Sequence, residues 1–295
     1  MFGDSGKDIY LPQYPIGVNE SGVLFELKEM TPSKSIVDFS IGLVLCITTL
    51  CHAQDLELGL ITHFKFDETS GNYAYDSSVS DFDSQVLGGT EWSDGLIDGA
   101  IEFNGLDAKI DLGQPSEYTM TSFSIACWFK NDNADRFRVI TARNATWTNR
   151  QWWLTIWEDG YQTGRDAKLV FRMSPTSGNY VDLVSAGRVD DNQWHLAVVT
   201  IDSSVNGTAR LYLDNVLQHT ITDFGVPKIP NIPAYVGRDI SGSSRFYSGL
   251  LDDFRIYNRV LTTEEIALLF EDTEPTTIKV VQWREISGHR SMADE

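Results

Sequence analysis

Between Asp191 and Thr220 the alternation of apolar and polar positions is clearest. Trp194, Leu196 and Val198 share one parity; Ala197, Val199 and Ile201 share the other. A run apolar on both parities predicts a strand buried on both faces. After a polar connection, 202–208, Leu211 and Leu213 face one way and Arg210 and Tyr212 the other. Asp214-Asn215 is a two-residue turn signal, since both types tolerate positive φ. The stretch therefore predicts a three-strand antiparallel meander whose first strand lies inside a sandwich.

The same reading extends along the chain. Leu58, Leu60, Thr62, Phe64 and Phe66 alternate with Ile61, His63 and Lys65, and Asp67-Glu68-Thr69-Ser70-Gly71 closes that strand. Two Asp-Gly turns bracket short strands between Trp92 and Ile110, and Phe123 to Lys130 is apolar on both faces. Lys168 to Arg172, Asp182 to Ser185 and Gly249 to Arg259 are further strands. One short helix follows: Thr262 is an N-cap with Glu265 as its capping-box partner, Leu261 can staple to Ile266, and Leu269 and Phe270 lie on the packing face.

The two ends carry no strand pattern. Residues 30–53 have the layout of a secretory signal: Met30, a basic start at Lys34, an apolar run from Ile36 to Leu50, and Cys51-His52-Ala53 before the cut. The run is short of the about 20 apolar residues a membrane span needs, and Asp38 interrupts it, so no membrane insertion of the mature chain is expected. On this reading residues 1–29 are a mis-called upstream extension, the mature domain spans 54–272, and 273–295 is a tail or linker. Cys46 and Cys51 leave with the signal. Cys127 remains as a small buried apolar residue, which excludes a cysteine-built metal site.

Composition changes the picture in one respect. The formal charge of −19 argues against nucleic acid, which needs basic contacts, and against anionic membrane surfaces. Eight Trp and fifteen Phe are enough to fill a sizeable core. Four tryptophans cluster at Trp147, Trp152, Trp153 and Trp157. Trp153 and Trp157 share parity, so Trp153 is expected in the core. Trp152 then joins Trp147 as an exposed stacking platform, with Arg150 and Gln151 at its edge for hydrogen bonds. Asn144-Ala145-Thr146 and Asn206-Gly207-Thr208 are glycosylation sequons.

Several motifs together carry a family resemblance. These are Phe66-Asp67-Glu68 with Gly71 and Asp76-Ser77, Ala100-Ile101-Glu102-Phe103-Asn104-Gly105, and the Trp194-His195 pair. Leu211-Tyr212-Leu213-Asp214-Asn215 and Asp252-Asp253-Phe254-Arg255-Ile256-Tyr257-Asn258-Arg259 complete the set. In this order they resemble the laminin-G-like branch of the concanavalin A-like jelly rolls, with Asn215 where most members have Gly. The resemblance covers residues 58–270. It implies an all-β antiparallel jelly-roll sandwich with one short C-terminal helix, its first and last strands adjacent. Relatives commonly hold calcium. The resemblance implies a structural calcium here, with Asp67 and Asp252 as carboxylate ligands and further oxygens from Asn104, Gly105 or Asp107.

The fold hosts lyases, glucanases, lectins and adhesion modules, so function rests on the site. Glucanases of this fold use carboxylates alternating along one strand. Here Asp81 and Asp83 fall in a loop, Asp55 and Glu57 before the first strand, and Glu271, Asp272 and Glu274 after the helix. No Ser occupies a Gly-x-Ser-x-Gly elbow, and His195, beside Trp194 in a buried strand, reads as a structural histidine, as do His63 and His219 on mixed strands. The expectation is a secreted, noncatalytic module that binds a glycan or an extracellular protein. A polysaccharide hydrolase or lyase and an adhesion module without a sugar site are the alternatives.

Overall fold

The computed structural model describes residues 56–146, 148–204, 207–240 and 245–271. The proposed extension at 1–29, the signal at 30–53, Cys46, Cys51, Trp147, Asn206 and the tail at 273–295 lie outside the described residues, as do 54 and 55 of the expected mature domain. Among the described residues no helix is long and apolar enough to cross a membrane.

The strands in chain order are β1 (Leu60–Phe64), β2 (Tyr73–Ala74), β3 (Ser84–Leu87), β4 (Thr90–Asp94), β5 (Gly99–Asn104), β6 (Lys109–Gly113), β7 (Phe123–Lys130) and β8 (Arg138–Thr146). They continue with β9 (Asn149–Ile156), β10 (Lys168–Met173), β11 (Val181–Arg188), β12 (Trp194–Asp202), β13 (Thr208–Leu213), β14 (Val216–Thr222), β15 (Ala234–Val236) and β16 (Ser248–Tyr257). The helix α1 spans Thr263–Glu271.

Two antiparallel sheets pack face to face. The first runs β14-β13-β12-β7-β16-β5-β4, with β1 paired to β16 as well. The second runs β11-β10-β9-β8-β15-β6-β3-β2. The expected meander is β12-β13-β14, and β12 lies between β13 and β7. Asp214 and Asn215 turn it at φ 52° and 61°, the left-handed pair that matches strand twist. The first and last strands are neighbours, with Phe64 opposite Phe254 and Leu60 opposite Tyr257.

The inter-sheet core draws one parity from each sheet: Ile125, Cys127, Val199 and Ile256 against Ile110, Ile140, Leu154 and Phe171. Each sheet also buries its other face. On the first, α1 seals a smaller cluster of Trp128, Leu196, Val198 and Tyr257 with Ile266 and Leu269, and Phe270 stacks on Trp128 at 5.7 Å. The helix start matches its sequence signal. Thr262 N donates to Glu265 at 2.8 Å, and Glu265 N donates to Thr262 Oγ1 at 3.2 Å. On the second sheet the outer cluster is Phe137, Val139, Ala142, Trp153, Trp157 and Val170. This outer layer is what positions the candidate ligand face described below.

One open edge is managed by side chains. Val184 N donates to His219 Nδ1 at 3.1 Å and Ala186 N to Gln218 Oε1 at 3.0 Å. Side chains of β14, at the edge of the first sheet, thus satisfy amides of β11, at the edge of the second, leaving those groups unavailable to another chain.

Candidate functional site

The clearest polar irregularity in the fold lies on β16. Its Ser248–Leu251 half pairs with β5, its Phe254–Tyr257 half pairs with β1, and the register on β7 shifts between Asp252 and Arg255. At this junction Asp253 sits at φ 48°. Its carboxylate takes a bond from His63 Nε2 at 2.7 Å and from Arg255 Nε at 3.0 Å. Asp252 turns instead toward the 95–98 turn, where Leu96 N and Ile97 N both donate to its Oδ2 at 2.9 Å. Gly95 is required here: a Cβ would come within 2.7 Å of Asp252 Oδ2 and 2.0 Å of the Gly99 carbonyl oxygen.

Asp252 is fully buried, and its Oδ1 has no hydrogen-bond partner. Burial pushes its carboxyl up to about 7, with the charges of Asp253 and Asp67 adding to the rise and the two amides opposing it. An orphaned, ionisable buried oxygen is the kind of group a cation would satisfy. Asp67 stands alongside, its Oδ1 accepting from Gly99 N at 2.9 Å. Asp67 lines a cleft of about 660 Å³ together with Glu68, Trp92, Asp94 and Asp98, while Asp252 is buried behind it. Asp252 Oδ1 fits as an oxygen donor for a hard cation, and Asp67, close enough for its charge to raise the Asp252 carboxyl, already accepts from Gly99 N. Among the described residues, however, no three His, Cys, Asp or Glu side chains converge as a ready metal cluster.

The rest of the expected calcium set does not join them. Asn104 and Gly99 are at opposite ends of β5, about 17 Å apart at strand rise. Asn104 Oδ1 is already taken by the amides of Leu106, Asp107 and Ala108, and its Nδ2 donates to Asp107 Oδ1 at 2.7 Å. That acceptance, with a bond from Gly89 N, holds the Asp107 carboxyl below its usual range. Asn104, Gly105 and Asp107 thus form a self-satisfied turn, and the five-residue set expected from the sequence divides into two places.

The expected stacking platform is also corrected. Trp152 is 0 % exposed and belongs to the inter-sheet core. It meets Tyr118 edge-on at 5.7 Å, and its Nε1 donates to Thr141 Oγ1 at 3.2 Å. Gln151 is buried against the Tyr118 and Met120 carbonyls. Arg150 is buried as well. Trp153 is buried as expected, but on the outer face of the second sheet. The shared parity of Trp153 and Trp157 suggests the core face, whereas Trp152, Leu154 and Ile156 face the inter-sheet core and the two others the outer layer.

That outer face is the more unusual surface. Trp153 and Trp157 meet at 6.0 Å, and Phe137 packs on both. Guanidinium groups lie over the rings: Arg150 at 5.0 Å from Trp153, Arg165 at 4.8 Å and Arg172 at 5.2 Å from Trp157, and Arg245 at 5.0 Å from Phe137. Asp182 binds Arg165 and Arg172. Asp239 binds Arg245 and accepts from Asn144 Nδ2 at 2.7 Å. At the rim, Tyr161 is 57 % and Tyr180 51 % exposed, and Tyr180 carries Arg172 at 4.0 Å. The Asn144 sequon is therefore closed: its amide is buried in this network.

The model of the concanavalin A-like lectin/glucanases superfamily, of laminin-G type, matches residues 104–267. The chain belongs to this family. Among solved structures, this laminin-G-like chain is similar to the binding domain of Paraclostridial Mosquitocidal Protein 1, with TM-score 0.56, 17% identity, and coverage of 72% of this chain and 52% of that one. It is similar to domain 4 of a GH43 extracellular arabinanase from Geobacillus stearothermophilus, with TM-score 0.55, 21% identity, and coverage of 71% and 97%. It is also similar to the binding domain of Botulinum Neurotoxin DC, with TM-score 0.56, 16% identity, and coverage of 74% and 52%. The laminin-G-like chain thus spans about half the length of these two toxin binding domains. At these identities the likeness is one of fold. None of the curated proteins matches.

The laminin-G-like strand β12 carries the family's Trp-His pair, and the structure gives His195 a structural setting. Its Nδ1 lies 2.7 Å from Asp214 Oδ2 and its Nε2 3.1 Å from Asp191 Oδ1. The bond to Asp214 raises its pKa, against the opposing effect of burial. A histidine whose folded pKa exceeds its unfolded value stabilises the fold fully below that unfolded value, and the contribution fades as pH rises through the folded pKa. His195→Gln is therefore expected to lose stability at pH 5 relative to the native chain, with a smaller deficit at pH 9. Urea melts at the two pH values check it, and an equal deficit at both would show that the ion pairs contribute nothing.

Sequence reasoning did not single out Arg165, Arg172, Asp182, Asp239 and Arg245. A signal existed in β10, where Arg172 interrupts an otherwise apolar run between the buried Phe171 and Met173. An arginine at that position in a strand apolar on both faces requires a partner on the outer side.

Proposed function

We propose that the chain is a secreted, noncatalytic carbohydrate-binding module with a structural calcium ion. The observation that carries the carbohydrate reading is the outer face of the second sheet, where Tyr161 and Tyr180 flank guanidinium groups held over Trp153 and Trp157. Sugar rings stack on exposed aromatic faces while polar groups at the edge fix their orientation. Two solved neighbours support the reading: the arabinanase domain is in complex with arabinotriose, and the neurotoxin domain with SialylT. For calcium, the support is Asp252 with its orphaned Oδ1, next to Asp67; backbone carbonyls or water would complete the oxygen set. Secretion rests on the signal-like 30–53, and secreted material is expected to begin at Gln54. N-terminal sequencing that found a start before Met30 would count against it.

The test of the binding face uses the full chain and a panel of oligosaccharides. Tyr161→Ala and Tyr180→Ala are each expected to weaken binding about tenfold, an effect of about 1.4 kcal/mol. Melting temperature should fall by only a few degrees, since each ring is about half exposed but Tyr161 packs on Phe137 and Trp157 and Tyr180 on Arg172. Binding by the double variant equal to that of the native chain would remove the site.

One observation favours a second reading, a polysaccharide hydrolase or lyase: Asp67, Glu68, Asp94 and Asp98 line one open cleft. Two of these hold backbone, since Asp67 accepts from Gly99 N and Glu68 from Tyr75 N, which is why the binding reading stands first. Release of reducing ends or unsaturated products from polysaccharides, abolished by Asp98→Asn, would reverse that order.

A further inference from the structure

Of the four strands that end the two sheets, three are covered. Gln218 and His219 of β14 bind amides of β11. The chain just after β2 is tied to β1: Asp76 bridges to Phe64, and Ser77 N donates to the His63 carbonyl oxygen at 2.8 Å. The fourth is β4, which among the described residues pairs only with β5. Its residues Trp92, Ser93 and Asp94 line the open cleft. An uncovered edge offers its N–H and C=O groups to an extended chain.

The two faces of β4 set what that chain would be. On the inner face Trp92 is half-buried against the inter-sheet core, and its Nε1 donates to the Gly71 carbonyl oxygen at 3.1 Å. On the outer face Glu91 lies directly opposite Glu102 of β5, and both are exposed. Like charges directly opposite destabilise a sheet, and a cation beside them offsets the repulsion. The neighbour that suits this edge is a strand with an apolar residue beside Trp92 and a cation beside Glu91.

We propose that residues 276–280 of this chain pair antiparallel with β4 and close that edge. They lie outside the described residues, and their sequence is Thr276-Thr277-Ile278-Lys279-Val280: four β-branched residues, the type strands favour, around one lysine. So short a run does not predict a strand alone, but β4 supplies a register for it. With Thr276 opposite Asp94 and Val280 opposite Thr90, Ile278 falls beside Trp92 and Lys279 beside Glu91, each on the face that suits it. The reach also fits. Phe270, near the end of α1, stacks on Trp128 at 5.7 Å. Trp128 is paired with Asp252, whose carboxylate holds the Leu96 and Ile97 amides just beyond β4. The link 272–275 can stretch about 17 Å from that patch to Asp94, and Pro275 within it opposes continuation of the helix. Neither a glycan nor calcium is required.

The experiment is hydrogen exchange on the full chain, read by mass spectrometry at several protein concentrations, with sedimentation at each. The expected result is that the 276–280 amides exchange at least about tenfold more slowly than in an unstructured peptide, in a monomer and at every concentration. Ile278→Asp, which sets a carboxylate beside Trp92, should abolish that protection and loosen β4. Lys279→Glu should reduce it severalfold, and adding Glu91→Lys to that variant should restore it. Unchanged protection at Val198, a buried residue of β12, shows that each variant is folded. Free exchange of 276–280 in the native chain overturns the proposal and leaves β4 blunted by its own carboxylates. Protection that appears only with a dimer, as concentration rises, overturns it as well, because a second copy then fills the edge. Protection that ignores the exchange of charge between residues 279 and 91 puts the segment somewhere other than β4, with the same consequence.

Discussion

Replacing Trp152 by alanine is expected to destabilise the fold by about 3–5 kcal/mol while leaving ligand binding by the folded fraction intact. The side chain is 0 % exposed and joins the sheets by touching Phe123 of the first at 5.9 Å, as well as Tyr118 at 5.7 Å. Its removal leaves a cavity that a close-packed sandwich cannot collapse around, and leaves Thr141 Oγ1 without the indole donor. For a domain of about 200 residues each kcal/mol moves the melting temperature by about 2–4 °C, so a fall of roughly 10 °C is expected. Tyr161→Ala is the opposite control, with binding reduced and the melt lowered far less than by Trp152→Ala, since its ring is 57 % exposed. A Trp152→Ala protein that melts normally but no longer binds sugar would restore Trp152 to the surface role the sequence pattern suggested.

The contrast between these two residues marks what was readable in the chain. The meander followed from period-two alternation and a handful of turn and cap signals, whereas the jelly-roll sandwich and the adjacency of β1 and β16 were implied by the family resemblance. Asp214-Asn215 and Thr262–Glu265 occupy the conformations their chemistry favours. Those signals are local, and the sheet faces they imply are set by adjacent residues. The proposed binding face was not local. Arg165, Tyr180, Asp239 and Arg245 come from loops well apart in the chain, gathered around Trp157, Arg172 and Phe137 by the order of the second sheet. Trp152 was misplaced for the same reason. Parity shows that neighbouring tryptophans face opposite ways, but not which of them faces the other sheet, and the arginine-covered outer layer over Trp153 was not visible in it. The residues expected to hold calcium show a third case. Asp252 was singled out through a family motif, whereas Asn104 and Asp107 look alike as oxygen-bearing turn residues until the length of β5 separates them.

Asp252→Asn is expected to raise the stability of the calcium-free chain near pH 8 and to abolish its response to calcium. The folded carboxyl is pushed up from 3.8 to about 7. Because the folded pKa lies above the unfolded one, the protonated form stabilises the fold fully below about pH 4, and that contribution is lost as pH rises through about 7. Above that, the native fold carries an ionised, buried carboxylate with one unpaired oxygen. A shift of about three units sets an upper figure near 4 kcal/mol for this cost, and relaxation around the group reduces it, so about 2 kcal/mol is the working expectation. Asparagine keeps an oxygen for Leu96 N and Ile97 N and removes the charge. Under the calcium proposal the ion would relieve the same cost in the native chain: at about a hundred times its dissociation constant it would add about 2.7 kcal/mol, or roughly 5–10 °C in melting temperature. Thermal melts at pH 5 and pH 8, in chelator and in calcium, separate the outcomes. The native chain should gain from calcium mainly at pH 8, and the variant should gain at neither pH. If chelator leaves the native melt unchanged at pH 8, the calcium proposal fails. If variant and native chain respond equally to calcium, the ion sits elsewhere. A variant less stable than the calcium-free native chain at pH 8 would show that the negative charge on Asp252 holds the 95–98 turn in place, and that its ionisation favours the fold.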